Sequence, residues 1–291
     1  MAKVYCIDGE MVLAESAELP VTDLAVVRGY GVFDFFRTYG GRPVQIERNL
    51  ERLRRSAEAL EIPVPWSDAT LSELVHATLA RNVFSEATIR MVITGGDSPN
   101  FITPAGRPRL LIYIEPLHPQ PTHWYTDGVA VITVHEDRYL PRAKSLLYTQ
   151  AILAQKRASA VGAVEALYVD RQHHVAEGTT TNVFAFLPNG EVITPKDNLL
   201  LGITRGRVLE VLATRYTVHE TDLPLSTLLT ADEVVITAAN KQVVPVVKID
   251  ETVIHGGHVG EHARWLMTAF ADYIAQQVSV RDKEEPARSA S

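Results

Sequence analysis

The sequence predicts an α/β protein of the α+β kind, with a small N-terminal α/β domain and a larger C-terminal domain of mixed sheet. Runs of β-branched and aliphatic residues alternate with amphipathic helical segments, but not in the regular strand-helix-strand order of a parallel sheet. The segment 116–121 has three prolines in six residues and indicates an interdomain linker. The 291 residues, 46% of them hydrophobic, are enough for two globular domains with sizeable cores.

The N-terminal domain is predicted to cover residues 1–115. It starts with two short strands joined at the Asp8-Gly9 turn, and a second hairpin turns at Gly40-Gly41. Apolar spacing and aliphatic runs then predict two helices and two strands, at 47–61, 68–82, 89–94 and 110–115. The long loop between those two strands is of the kind that carries function.

The C-terminal domain is predicted to cover residues 122–280. Its strands are expected at 129–135, 164–170, 181–187, 191–194 and 233–238, and its helices near 145–161, 204–214 and 258–278. The final segment, 281–291, consists mostly of charged and small residues, so we expect it to be a disordered tail.

Composition argues against several classes of partner. The chain has 28 Lys and Arg against 35 Asp and Glu, a net charge of -7, which disfavours nucleic acid or an anionic membrane as the main partner. The lone Cys6 cannot form an internal disulfide, and no apolar run resembles a signal peptide or a membrane span. We therefore expect a cytoplasmic protein with no nucleic-acid and no membrane partner.

Two residues indicate a possible chemistry. Lys144 follows a Pro-Arg-Ala turn and opens a helical pattern, and Glu177 ends a predicted hairpin just before a Gly-Thr-Thr-Thr run. Pyridoxal phosphate chemistry requires an amine that forms a Schiff base with the aldehyde and an acid that keeps the pyridine nitrogen protonated. By spacing alone, however, a Lys after a turn and a Glu after a hairpin are more commonly solvated.

Five ordered motifs carry a resemblance to a known family. They are Arg28-Gly-Tyr-Gly-Val-Phe-Asp34, Glu51-Arg52-Leu53, Ala143-Lys144-Ser145-Leu146, Glu177-Gly-Thr-Thr-Thr-Asn182-Val-Phe and Gly202-Ile-Thr-Arg205. Over nearly the whole chain they resemble the class IV, fold-type IV pyridoxal-phosphate-dependent aminotransferases. That family includes branched-chain and D-amino acid aminotransferases, aminodeoxychorismate lyase and R-selective amine transaminases. The resemblance implies a C-terminal pseudo-barrel of mixed sheet and a homodimer.

The resemblance also implies a cofactor, pyridoxal 5′-phosphate, and its ligands. Lys144 is expected to carry the cofactor and then to move the proton between the substrate α-carbon and the cofactor. Glu177 is expected to pair with the pyridine nitrogen. The phosphate is expected to bind Arg52 and the backbone amides of Ile203 and Thr204.

The residues alone leave other interpretations open at three of these positions. Arg52 shares a predicted helix face with Arg48 and Arg55, which is typical of a solvated basic stripe. Thr204 can be an ordinary helix cap. Tyr148 matches a residue that hydrogen-bonds the cofactor ring hydroxyl, but it is equally compatible with core packing.

One phosphate contact differs from the family pattern. The family adds a threonine near residue 237, and the aligned position here is Ala239. We therefore expect a backbone amide at Ala239 or the side chain of Asn240 to replace that hydroxyl.

Substrate recognition separates the family members, because a desolvated carboxylate needs an arginine or an array of amides. Arg28 lies in a Gly-flanked turn similar to that of a subgroup with D-amino acid activity, whose second arginine is replaced by Thr180 here. Arg37 matches the arginine that branched-chain enzymes use for a glutamate side-chain carboxylate. The loop Thr94-Gly95-Gly96 lacks the arginine of the better-known D-amino acid aminotransferases.

These matches favour ping-pong transamination between a D-amino acid and a 2-oxo acid such as 2-oxoglutarate or pyruvate. L-branched-chain amino acids are the next alternative. Aminodeoxychorismate lysis and R-selective amine transamination remain open, because they use the same lysine and carboxylate.

A different chemistry is represented by His258-Val-Gly-Glu261-His262, an H-x-x-E-H string. In inverted zincins such a string supplies two zinc ligands and a base from one helix. Here Gly260 lies inside the string and Gly256-Gly257 precede it, which indicates that the string only begins a helix. Zinc hydrolysis is therefore the remote alternative, and we expect no metal site.

Overall fold

The structure, a computed structural model, describes residues 2–288, and the chain divides into two compact units. The first unit comprises Met1–His118 and Arg142–Tyr148, and the second comprises Pro119–Pro141 and Thr149–Ser291. The division after His118 falls inside the proline-rich segment. Residues 142–148, which the sequence analysis places in the C-terminal domain, cluster with the first unit.

The first unit contains a six-stranded sheet. Its elements are β1 (Val4–Ile7), β2 (Glu10–Leu13), α1 (Leu24–Arg28), β3 (Gly31–Tyr39), β4 (Arg42–Pro43), α2 (Ile46–Ala59), α3 (Asp68–Ala80), β5 (Ala87–Thr94) and β6 (Arg109–Pro116). The strand order is β2-β1-β6-β5-β3-β4, and neighbouring strands pair antiparallel.

The two long helices of the first unit form largely where apolar spacing predicts them. In α2 the residues Ile46, Leu50 and Leu53 are buried, and this helix packs on β3. In α3 the Ser67 hydroxyl accepts a hydrogen bond from the Thr70 amide at 3.1 Å, which caps the first turn.

The second unit contains a ten-stranded mixed sheet. Its elements are α4 (His123–Thr126), β7 (Val129–His135), α5 (Thr149–Ala160), β8 (Glu165–Val169), β9 (His174–Gly178), β10 (Asn182–Phe186), β11 (Val192–Thr194), α6 (Ile203–Leu212), β12 (Val218–Glu220), β13 (Leu223–Pro224), α7 (Leu225–Leu229), β14 (Glu233–Ala238), β15 (Gln242–Ile249), β16 (Thr252–Val253) and α8 (Glu261–Arg288). The order is β12-β11-β10-β14-β15-β7-β8-β9-β13, with β16 beside β15. Parallel pairing joins β7 to β8, β7 to β15 and β11 to β12.

The core of the second unit lies on this sheet. Strands β8 and β10 are buried along their whole length, which requires cover on both faces and explains their nearly continuous apolar sequences. Strand β15 was not predicted, because Pro245 in its middle argues against a strand. The structure nevertheless pairs Pro245 with Val235 of β14.

Two helix boundaries differ from the sequence analysis. The helix predicted from residue 145 begins at Thr149, because the preceding residues extend along β3. Helix α8 continues to Arg288, past the start of the predicted tail, and residues 289–291 lie outside the described residues. Along residues 2–288, none of the helices combines the length and apolar character needed to span a bilayer.

Candidate functional site

Lys144 lies on an extended segment of the first unit that is held against β3. The Phe33 amide donates to the Lys144 carbonyl at 2.9 Å, and the Leu146 amide donates to the Gly31 carbonyl at 2.9 Å. The approach is close because Gly31 has no side chain: a Cβ there would lie 2.7 Å from Leu146 Cδ1. The Lys144 amide donates to Ser56 Oγ of α2 at 3.1 Å. The backbone at Lys144 is therefore fixed by both a strand and a helix.

The amine of Lys144 lies over an aromatic ring. Its Nζ is 4.6 Å from the ring centroid of Phe33, and Tyr148 packs edge-on against the same ring at 5.4 Å. The negative face of an aromatic ring attracts a cation, so Phe33 gives the amine a defined position. Tyr148 contacts the ring beside the lysine, and its predicted hydrogen bond to the cofactor ring hydroxyl stays a prediction.

Arg90, which the sequence analysis did not single out, contacts the same ring. Its guanidinium carbon lies 5.0 Å from the centroid of Phe33, 5.3 Å from Phe35 and 5.9 Å from Tyr113. Among the described residues it has no hydrogen-bonding or ionic partner. Five donors without an acceptor make Arg90 a candidate ligand for a carboxylate. The signal in the sequence is an arginine within an otherwise largely aliphatic strand.

Arg52 is not part of a solvated stripe, since it is only 6% exposed. Its Nε donates to Asp34 Oδ2 at 2.7 Å and its Nη2 to Asp34 Oδ1 at 2.9 Å, and Asn49 Nδ2 also donates to Oδ1. Arg55, by contrast, is exposed and pairs with Glu51 at 3.4 Å. The Asp34 pair orients Arg52 and leaves Nη1 without a hydrogen bond in the described chain, so this atom can bind an anion.

The two arginines predicted to bind substrate have different surroundings. Arg28 is exposed at the end of α1, donates from Nη1 to the Val27 carbonyl at 2.9 Å, and lines a largely apolar cavity of about 400 Å³. Arg37 donates from Nε to the Thr38 carbonyl at 3.1 Å, and its guanidinium lies 4.5 Å from the ring centroid of Tyr39. Their substrate roles stay predictions.

In the second unit, Asn182 connects several predicted site segments. Its Nδ2 donates to the Leu200 carbonyl at 2.9 Å and to Glu177 Oε2 at 3.4 Å. A Cβ at Gly202 would lie 2.1 Å from Asn182 Oδ1, so the glycine permits this close packing. Across the sheet, Asn182 is paired with Thr237 of β14. Glu177, the start of α6 and the end of β14 therefore meet at one residue.

Glu177 is a buried carboxylate with a cationic partner. It is 4% exposed, and its Oε1 accepts a hydrogen bond from Nη1 of Arg138. A desolvated carboxylate needs such a partner to stay charged. Sequence reasoning gave Arg138 no role, although this residue begins the stretch that ends at Asn182.

The first turn of α6 offers unpaired backbone donors. Gly202 is the N-cap, and it makes no side-chain hydrogen bond to the turn. Thr204 is therefore inside the helix and is not its cap, which removes that alternative. The amides of Ile203 and Thr204 have no partner in the described part of the chain. Such amides at the positive end of a helix dipole suit a phosphate.

Thr237 has an unpaired hydroxyl close to these groups. Its Oγ1 is buried without a partner, and as the cross-strand partner of Asn182 it lies on the same sheet face. Ala239 and Asn240 form the turn between β14 and β15. The structure thus provides a hydroxyl at Thr237, where the sequence alignment had looked to Ala239 or Asn240. Uncapped amides, an orphaned hydroxyl and a buried carboxylate fit a phosphorylated pyridine cofactor.

The zinc alternative lacks its geometry. His258 has an extended backbone (φ -125, ψ 153) before α8, whereas Glu261 and His262 belong to that helix. His262 Nδ1 is 2.8 Å from the Tyr216 hydroxyl, and its ring stacks on Phe186. Across the described residues, no group of three or more His, Cys, Asp and Glu could hold a metal ion.

Comparison with known proteins identifies the family. Residues 31–249 match the family model for amino-transferase class IV. The chain belongs to the class IV aminotransferases. It is 34% identical over 280 residues to a putative branched-chain-amino-acid aminotransferase of Methanocaldococcus jannaschii, with 93% of this chain and 96% of that one covered. It is 32% identical over 282 residues to a D-alanine aminotransferase of Staphylococcus epidermidis, with 94% and 98% covered.

Solved structures show the same fold. The branched-chain amino acid aminotransferase of Escherichia coli has a TM-score of 0.87 and 25% identity, and 94% of each chain is covered. Another branched-chain amino acid aminotransferase, that of T.th., was solved with pyridoxamine 5′-phosphate; it has a TM-score of 0.87 and 26% identity, again with 94% of each chain covered.

The predicted fold class is confirmed: this class IV aminotransferase has the α/β architecture of fold-type IV enzymes. Enzymes of this class use pyridoxal phosphate and act on amino acids and keto acids. The chain is therefore a pyridoxal-phosphate-dependent aminotransferase.

Proposed function

We propose that this aminotransferase moves an amino group between a D-amino acid and 2-oxoglutarate or pyruvate by a ping-pong mechanism. The observation that carries the proposal is the pair of cations on Phe33, with Lys144 Nζ and the Arg90 guanidinium 4.6 Å and 5.0 Å from its ring centroid. An amino acid substrate needs an amine for its own amino-group chemistry and a guanidinium for a carboxylate. The 2-oxoglutarate side chain supplies such a carboxylate.

The residues of this chain divide the work of the reaction. Pyridoxal 5′-phosphate, when bound, supplies an electron sink that acidifies the substrate α-carbon. Lys144 binds the cofactor aldehyde and, once displaced by the amino acid, takes and returns the α-proton. Glu177 keeps a proton on the pyridine nitrogen. The amides of Ile203 and Thr204 and the hydroxyl of Thr237 bind the phosphate, together with an arginine of α2.

Preference for D-amino acids is supported by sequence features of the first unit and by relatives. The Arg28 turn and the Thr94-Gly95-Gly96 loop resemble a subgroup with D-amino acid activity, and the Staphylococcus epidermidis relative is a D-alanine aminotransferase. L-branched-chain amino acids are the second candidate. The cavity of about 400 Å³ beside Arg28 favours them, because Leu24, Leu60 and Ile102 give it aliphatic walls.

We include a homodimer in the proposal. Three exposed aliphatic residues of the first unit, Val26, Ile102 and Leu147, are 55%, 68% and 49% exposed. Exposed apolar surface of this kind is typical of an interaction surface. Sedimentation velocity on the cofactor-loaded enzyme tests this part, and a monomer at micromolar concentration would contradict it.

The visible absorption spectrum of the purified enzyme tests the function. D-alanine, D-glutamate, L-leucine and L-glutamate are added separately to protein that has been saturated with pyridoxal phosphate. We expect the yellow band to bleach with both D-amino acids. Bleaching with the L-amino acids alone would replace the proposal by the branched-chain alternative. A band that none of the four changes would favour the lyase or amine transaminase, and absence of any band would refute the cofactor assignment.

A further inference from the structure

A second buried carboxylate, Glu165, lies under the loop that follows Glu177. Glu165 is 0% exposed. Its oxygens accept hydrogen bonds from the amides of Ala166, Thr179 and Thr180 at 3.1, 3.2 and 3.3 Å, and from the hydroxyls of Thr179 and Thr180. Burial alone would raise the pKa of Glu165, but the ammonium of Lys241 and these donors hold the pKa below its ordinary value. Glu165 therefore fixes this loop as an ionised group.

Lys241 completes this cluster from the turn between β14 and β15. Its Nζ lies 3.2 Å from Glu165 Oε2 and 3.0 Å from Thr180 Oγ1. The side chain is 12% exposed, so it is largely desolvated but still reaches the surface of the second unit. An ammonium has three donors, and the contacts to Glu165 and Thr180 use two of them. One charge-assisted donor remains for a ligand.

The position of this donor is set by the site residues already described. Thr180 is three residues beyond Glu177 in the sequence, and its hydroxyl is occupied by Glu165 and Lys241. The turn that carries Lys241 directly follows β14, whose Thr237 is paired with Asn182. The remaining Lys241 donor therefore lies at the same end of the mixed sheet as the candidate cofactor ligands.

We propose that Lys241 binds the α-carboxylate of the amino acid and 2-oxo acid substrates, with Glu165 and Thr180 holding its amine in place. This inference rests on the proposed function. Every substrate of an amino acid aminotransferase carries an α-carboxylate, whose desolvation requires a cationic or amide donor. Lys241 supplies that donor where Thr180 itself, with its hydroxyl occupied, cannot.

Lys241→Met is the first test, because methionine keeps the apolar length and removes the charge. We expect the KM values for D-alanine, D-glutamate, pyruvate and 2-oxoglutarate to rise together by about tenfold or more, the effect of one lost charge-assisted hydrogen bond. The kcat and the absorption spectrum of the bound cofactor should stay close to those of the parent. Lys248→Met is the matched control, because Lys248 lies on β15 with a 43% exposed side chain and pairs with Glu251.

A purely structural role of Lys241 needs a separate variant. The single substitution leaves Glu165 buried without its cation, which can weaken folding. The double variant Lys241→Met, Glu165→Gln removes both charges. If Lys241 only neutralises Glu165, the double variant recovers the parental KM, and the inference is wrong. If Lys241 binds substrate, the KM values stay raised in the double variant while its melting temperature recovers.

A binding measurement adds a readout apart from turnover. Propionate is titrated into the cofactor-loaded parent and double variant, and its Kd is read from the absorption change. We expect weaker propionate binding in the double variant, and equal Kd values would overturn the inference. A parent that fails to react with any amino acid would instead refute the proposed function, so the two failures are distinguishable.

Discussion

The surroundings of Phe33 and those of Asn182 treat charge in opposite ways. At Phe33, in the first unit, Lys144 Nζ and the Arg90 guanidinium lie over an aromatic ring, 4.6 Å and 5.0 Å from its centroid. Arg90 has no carboxylate partner among the described residues. An aromatic face positions a cation without neutralising it, so its donors remain available to a ligand.

Around Asn182, in the second unit, buried carboxylates have cationic partners. Glu177 pairs with Arg138, and Glu165 pairs with Lys241 at 3.2 Å. Breaking a buried ion pair leaves an uncompensated charge, so each partner is needed for the other to stay ionised. The difference teaches that ring-held cations are suited to reacting groups, whereas paired charges are suited to holding a fixed charge. The predictions below test that division.

The largest effect is expected at the ring-held lysine. Lys144→Ala should slow the half-reaction with an amino acid by at least about a thousandfold, since positioned proton transfer alone contributes roughly 10²–10⁴-fold. Single-turnover absorbance measurements give this rate. Lys156→Ala, an exposed lysine of α5, is the control and should react at the parental rate. A Lys144→Ala enzyme of parental rate would refute the scheme.

The next effect tests the buried pair of the second unit. Arg138→Met should lower the free energy of unfolding by roughly 3–5 kcal/mol, because Glu177 is left buried and unpaired. The side chains of Arg138 and Glu177 are 16% and 5% exposed. Arg171 pairs with Asp137 but is 88% exposed, so Arg171→Met should cost below about 1 kcal/mol. Urea denaturation measures both, and equal losses would show that burial does not decide the strength of these pairs.

Sequence reasoning recovered the fold better than the surroundings of the site. Local patterns define the Asp8-Gly9 hairpin and the boundaries of β7 and β14, because apolar periodicity and turn residues act within a few positions. Residues 142–148 were assigned to the wrong secondary structure, since an extended segment paired with β3 depends on Gly31, more than a hundred positions earlier. Tertiary pairing of that kind leaves little local signal.

The side chains that support the site were the least predictable. Arg138 and Arg90 carry no motif of their own, and only the folded chain brings them to Glu177 and Phe33. The unpaired hydroxyl of Thr237 likewise depends on the register of β14. Motifs identify residues that contact a cofactor, whereas residues that position or neutralise them are determined by three-dimensional packing.

Arg90→Met tests whether an unpaired guanidinium is reserved for substrate. We expect the KM for D-glutamate and 2-oxoglutarate to rise about tenfold to a hundredfold, because a hydrogen bond to a charged group contributes roughly 1.5–3 kcal/mol. The KM for D-alanine and pyruvate should change little, since they lack a second carboxylate. Steady-state kinetics with both substrate pairs measures this. An equal rise for all four would show that Arg90 does not select the second carboxylate.

A smaller effect is expected at Thr237, where the second unit leaves a polar atom unpaired. Thr237→Val should weaken pyridoxal phosphate binding about fivefold, the contribution of one neutral hydrogen bond of roughly 1 kcal/mol. The cofactor-free protein should become more stable, because an unsatisfied buried hydroxyl is removed. Fluorescence titration and thermal melting measure the two quantities. Thr237→Ser keeps the hydroxyl and should bind like the parent; a Val variant with parental affinity would assign the hydroxyl no phosphate contact.

The smallest effect concerns Glu115, a partly exposed carboxylate of the first unit. Burial would raise its pKa, but hydrogen bonds from Lys3 and Tyr5 hold the pKa below its ordinary value. A carboxylate whose pKa is lowered by folding stabilises the folded protein above its ordinary pKa. That contribution is lost as the pH falls through the folded-state pKa.

Glu115→Gln should therefore cost below about 1 kcal/mol at neutral pH, because the side chain is 35% exposed and solvent screens the pair. The variant should also lose less stability than the parent between about pH 5 and about pH 3, the range in which carboxylates titrate. Urea titrations at several pH values measure this, with Glu73→Gln on α3 as the exposed control. If both variants followed the parental acid curve, a partly exposed pair would contribute nothing measurable, and fixed charge in this protein would depend on burial alone.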